Sequence, residues 1–134
     1  MTTLDDINEF WGWAGLIAVE VLAENDFGNL LIRDEDGGYW WLCPQDLRCQ
    51  LVARHRAGFE ALSYNQQFLQ RWYATELRTA AVEALGPLAS GRKYCMTVPF
   101  AQGGGCGADN LATAPLSVLI RFSGEVAEAI DGAL

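Results

Sequence analysis

The sequence predicts an α+β fold: an antiparallel β-meander of about four to five strands packed against helices, in a single domain. Three observations predict it. Four apolar, strand-like runs between residues 18 and 53 are joined by turns too short for the crossovers that parallel strands require. Stretches with helical spacing of apolar residues flank this block on both sides. The 134 residues are 51% hydrophobic and 11% aromatic, which suffices for one core and falls short of two ordinary domains.

The first predicted element is a helix from Leu4 to about Trp13. Thr3 caps it, Asp5 and Asp6 suit its positive end, and Ile7, Phe10 and Trp11 share one face. Four strands follow, at Ala18–Ala23, Asn29–Arg33, Tyr39–Cys43 and Cys49–Ala53. Asn25-Asp26-Phe27-Gly28 and Asp34-Glu35-Asp36-Gly37-Gly38 carry ordinary turn chemistry, and Pro44, which has no N–H for a ladder, marks the third break. A short helix is expected over Arg56–Leu62. A long one is expected over Asn65–Leu85, where Leu69, Tyr73, Leu77, Ala81 and Leu85 recur every four residues and Phe68 and Trp72 widen the stripe, until Gly86-Pro87 stops it. Arg92–Val98 reads as a strand ended by Pro99, and Ala101–Ala108 as a mobile Gly-rich loop. The last helix is expected over Pro115–Ile130, capped by Thr113, with Leu116, Leu119, Ile120, Val126, Ala127 and Ile130 facing the core.

The formal net charge is −8, and it is unevenly placed. Residues 1–46 hold ten acids and a single base, Arg33, whereas residues 47–134 hold seven acids and eight bases. Such a balance opposes direct contact with nucleic acid, whose phosphates repel it, and favours a partner with a basic surface. Met1-Thr2-Thr3-Leu4-Asp5-Asp6 lacks the basic start and apolar stretch of an export signal, and no apolar run is long enough for a bilayer. The expected compartment is therefore the cytoplasm. There, Cys43, Cys49, Cys95 and Cys106 remain free thiols.

Chemistry-bearing motifs are absent. His55 is the only histidine and sits between Arg54 and Arg56, which disfavour its protonated form; it reads as a surface residue. Four Cys and one His lack the paired spacing of a zinc site. Asp34-x-Asp36-Gly37 reaches its glycine too early for a calcium loop. Gly103-Gly104-Gly105-Cys106-Gly107 is followed by Ala108-Asp109, not by the Lys-Ser/Thr of a phosphate loop. Strand alternation puts Trp40 on one sheet face and Tyr39 and Trp41 on the other, so at least one face is core. No catalytic residue, metal site or cofactor is predicted.

Two stretches resemble the Tdi-type immunity domain of type VI secretion. One is Phe27–Pro44, the strand–turn–strand that contains Asp34-Glu35-Asp36-Gly37-Gly38-Tyr39-Trp40-Trp41. The other is Asp109–Ala127, which resembles that family's C-terminal helix; Leu16–Phe27 and Gly91–Pro99 also fit. The aromatic hairpin with its acidic turn is similar as well to the broader SUKH-like immunity folds. The resemblance implies a non-enzymatic protein that protects its cell by binding a cognate toxin, often a DNase. It also implies a further strand after the last helix, where this sequence ends Ile130-Asp131-Gly132-Ala133-Leu134.

Charge and resemblance together yield an expected toxin-binding set. The acids Glu24, Asp26, Asp34, Glu35 and Asp36 face a basic toxin, with Trp40 or Trp41 as the aromatic anchor. Two alternatives stay open: a SUKH-like domain that binds a regulatory protein, and a small-ligand-binding protein with its pocket beside the Gly-rich loop.

Overall fold

The computed structural model describes residues 2–133 and, as expected, is α+β. Helix α1 spans Thr3–Trp11, one residue earlier than expected. Thr2, not Thr3, is its cap: the Thr2 hydroxyl accepts from the Asp5 N–H, and the Asp5 carboxylate accepts from the Thr2 N–H, a reciprocal capping box. Those hydrogen bonds to Thr2 hold the Asp5 carboxyl below its ordinary pKa. A single 3-10 turn, Gly12–Ala14, closes the element.

The four expected strands form one antiparallel sheet in the order β1 (Ala18–Glu24), β2 (Leu30–Asp34), β3 (Tyr39–Cys43) and β4 (Arg48–Ala53). Alternation sends Leu30, Ile32 and Leu42 to one face. There they meet Ile7 and Trp11 of α1 and Ile120 and Ala127 of the last helix, α5 (Leu116–Ala133). Full burial of each of these aliphatic side chains is worth about 2 kcal/mol. The opposite face carries Leu31 and Trp41, covered by Trp72 with Phe59 and Phe68 around it. The sheet is thus sandwiched between α1 and α5 on one side and α2 (Arg56–Ala61) and α3 (Gln66–Tyr73) on the other. Where α5 crosses α1 the backbones come very close. A Cβ at Gly124 would stand within 3 Å of the Phe10 carbonyl, so no larger residue fits.

Three expectations need correction. The long helix Asn65–Leu85 is two helices, α3 and α4 (Thr75–Leu85), separated by Ala74 in a left-handed conformation (φ 43°, ψ 49°). The reason is geometric. A repeat of four drifts by roughly 40° per step around a helix of 3.6 residues per turn, so five such positions cannot share one face. The break lets Trp72 pack under the sheet and Ala81 pack in a separate cluster, while Tyr73 turns outward and is 63% exposed.

Second, Thr113 caps nothing. It lies in β6 (Leu111–Pro115), which pairs antiparallel with β5 (Arg92–Met96) in a two-stranded sheet of its own. Arg92 Nε donates to the Thr113 hydroxyl and Nη2 to its carbonyl. This hairpin and α4 enclose the separate cluster around Phe27, Tyr94, Met96 and Leu111. Third, the Gly-rich loop is tied down. The Asn110 side chain accepts from the Val98 N–H and donates to the carbonyls of Val98 and Gly105, and Gly104 N–H donates to Pro99.

Candidate functional site

The seven residues expected to bind a toxin do not form one surface. Glu24 and Asp26 lie at one end of β2 and Asp34, Glu35 and Asp36 at the other, with about 13 Å of strand between the two groups. The antiparallel register fixes this separation, since Glu24 pairs with Leu30 and Ala18 with Asp34.

Each residue has a distinct local role. Asp34 is 5% exposed and accepts three hydrogen bonds: from the N–H of Asp36 (2.9 Å), the N–H of Gly38 (2.8 Å) and Trp40 Nε1 (2.7 Å). It is the acceptor that shapes its turn, and its carboxylate is directed inward. An Asp at the head of Asp-x-x-Gly was the legible signal for this, because its carboxylate can reach N–H groups two to four residues on. Trp40 is half-buried with its N–H committed to Asp34, and Trp41 is buried.

Trp41 sits in a network that joins three segments. Its Nε1 donates to Asn29 Oδ1 (2.7 Å), Asn29 Nδ2 donates to Gln45 Oε1 (2.9 Å), and Gln45 Nε2 donates to the Phe27 carbonyl (2.6 Å). Asn25 reaches across to the Trp72 carbonyl, and the Arg71 guanidinium lies 4.9 Å from the Trp41 ring centre. At this end the two acids are answered by cations. Asp26 pairs with Arg78 (2.6 Å) and Glu24 with Lys93 (3.0 Å). Cys43 and Cys49 stand here too. Burial pushes both thiols up to about 12, helped at Cys43 by the neighbouring Asp46 charge, so they are protonated and poorly nucleophilic at neutral pH.

The other end differs. Glu35 and Asp36 are exposed and make no ion pair among the described residues. The Glu35 N–H donates to the Ile17 carbonyl, which sets this turn beside the exposed Ile17 and the start of β1. Exposed aromatic rings that sequence reading missed include Tyr64 and Tyr73, on the α2–α3 segment, and Phe122 on α5; a helical stripe had assigned Tyr73 to the core.

Enclosed chemistry is sparse. Among the described residues no group of three or more His, Cys, Asp or Glu side chains is arranged to hold a metal ion. His55 is exposed and serves as the cap of α2, its Nδ1 accepting from the Gly58 N–H. An open groove of about 710 Å³ is lined by Gln70, Thr75, Glu76, Leu77 and, from the Gly-rich loop, Cys106. No helix among the described residues is long and apolar enough to cross a membrane.

The scaffold is α+β, with buried aromatic rings and with acids displayed on turns and on an edge strand. A family model described as T6SS immunity protein Tdi1, C-terminal, matches residues 53–127, more than half of the chain, and the chain belongs to that family. It is thus a member of a type VI secretion immunity family. Of the two resembling stretches, Asp109–Ala127 lies inside the matched segment and Phe27–Pro44 before it. No curated protein matches the chain.

Proposed function

We propose that this protein binds a toxin delivered by type VI secretion and neutralises it in the cytoplasm of the cell that makes both, with no catalytic step of its own. Membership of the immunity family over residues 53–127 carries this reading. The charge distribution gives it chemistry. Residues 1–52 hold ten acids and two bases, and the rest of the chain holds seven of each. A toxin that cleaves DNA attracts phosphate with a basic cleft, and an acidic protein reaches such a surface by steered, salt-sensitive association. The proposed partner is therefore a basic nuclease, a DNase, met by the acidic N-terminal part of the molecule.

The test is co-expression with the product of the adjacent toxin gene. Cells should survive only when this protein is present, and the two should co-purify; killing that proceeds unchanged removes the proposal. Within a working pair, Glu35→Lys with Asp36→Lys should slow association at low salt several-fold and flatten its salt dependence. Association kinetics identical to those of the parent protein would take that turn out of the interface.

A further inference from the structure

The sheet has two edges, β1 and β4, and they differ in a way that bears on the partner. We infer that the outer edge of β1 receives an extended, cationic segment of the toxin, added as a further strand of this sheet. The inference rests on the toxin-binding reading above and names the surface for it.

Edge strands expose N–H and C=O groups that another strand can pair with, and proteins usually guard them with charge. β4 is guarded: Arg48 and Arg54 bracket it, both exposed, and Leu51 is its single exposed large apolar side chain. β1 is not guarded in that way. Neither Lys nor Arg occurs between Met1 and Ile32. Instead, large aliphatic side chains stand out along it and just before it: Ile17 (53% exposed), Val19 (40%) and Leu22 (36%). Around them lie Glu20 and Glu24, half-exposed and paired with Arg33 and Lys93, and the turn carrying Glu35 and Asp36, which make no ion pair among the described residues. That turn is held to Ile17 by its backbone hydrogen bond. The surface is apolar along the strand and acidic at its margins, which suits a β-segment that alternates apolar and basic residues.

Two further details select the occupant. The Asn8 side chain already bonds the N–H and C=O of Ala18, and no other side chain bonds the β1 backbone among the described residues, so the stretch for addition lies beyond Ala18. The register skips Val19 and Leu22, which leaves these two residues without cross-strand partners. Such bulges discourage indiscriminate pairing. A second copy would also bring its own charge of −8 against the same acidic rim. A basic partner instead meets Glu35 and Asp36, unpaired among the described residues, and the cations nearest the strand, Arg33 and Lys93, are already engaged by Glu20 and Glu24.

The experiment uses the full chain with the toxin from the adjacent gene. Amide hydrogen exchange should slow at residues 19–24 in the complex and stay unchanged at 48–53. Val19→Lys and Leu22→Lys should each weaken binding at least tenfold with the melting temperature unchanged, whereas Leu51→Lys on the other edge should stay within twofold. A complex that forms and protects cells without protecting the β1 amides overturns the inference and leaves the proposed function standing. So does undiminished binding by folded Val19→Lys and Leu22→Lys. Failure of the parent protein to bind the toxin at all refutes the proposed function and this inference with it. Protection of β1 in a dimer of the protein alone would assign the edge to a second copy and overturn the choice of a cationic segment. Should a lysine variant fail to fold, the exchange pattern of the parent complex decides.

Discussion

The β1–β2 turn and the β2–β3 turn are both short, both acidic and both contain glycine, but they are embedded in opposite ways. At the first, Asn25 and Asn29 feed a buried amide network, and Asp26 and Glu24 are matched by Arg78 and Lys93 from α4 and β5. At the second, one acid, Asp34, is turned inward as the acceptor of its own turn, and Glu35 and Asp36 remain in solvent with no ion pair among the described residues. An acid's role here is set less by its turn than by what the rest of the chain brings beside it. One end of the sheet is locked and charge-balanced; the other is open and keeps its negative field.

The contrast can be broken most strongly at the network. Asn29→Ala should destabilise the protein by about 3 kcal/mol in chemical denaturation, because Trp41 Nε1 and Gln45 lose their partners in the interior. Asp34→Ala should cost somewhat less, about 2 kcal/mol. It deprives three donors of one acceptor, but only the Gly38 N–H is fully buried and the other two donors are part-buried. A loss below about 0.5 kcal/mol at either position would contradict the distinction between structural and displayed polar groups.

The locked end should also respond to alkali. In the unfolded chain the Cys43 and Cys49 thiols ionise near the ordinary value of 9, whereas in the folded chain they hold their protons up to about 12. Above pH 9 the unfolded state therefore binds fewer protons than the folded state, and stability falls as pH rises, levelling off near 12. The loss should reach about 1 kcal/mol per thiol by pH 10, seen as a shift of the denaturant midpoint that shrinks in Cys49→Ala. A midpoint independent of pH between 8 and 10 would show that these thiols are not desolvated. Smallest of all, Asp26→Ala should cost less than about 1 kcal/mol, since its pair with Arg78 is solvent-exposed. Glu35→Ala with Asp36→Ala should stay within about 0.5 kcal/mol of the parent. A larger loss in that double variant would mean the open end is structural after all.

Much of the fold was legible along the chain. Asx-Gly and Pro turn signals placed four strands to within a residue or so, and short connections implied the antiparallel order that is observed. The candidate surface was less legible. The acidity of the first third could be read directly, but the opposed placement of its two turns depended on strand register, and the burial of Trp40 and Trp41 depended on which helices cover each face.

By itself, then, the sequence determined what local rules control: turn chemistry, the alternation that gives the sheet two apolar faces, the helix-stopping Gly86-Pro87, and the placement of net charge. The tertiary structure decided the rest. Ala74 adopts a left-handed conformation because Trp72 and Ala81 pack in different clusters, and Thr113 joins a strand because β5 offers it a ladder and Arg92. Local propensity is worth a few tenths of a kcal/mol per residue, whereas burial of one large side chain is worth about 2 kcal/mol, so wherever the two disagree packing prevails.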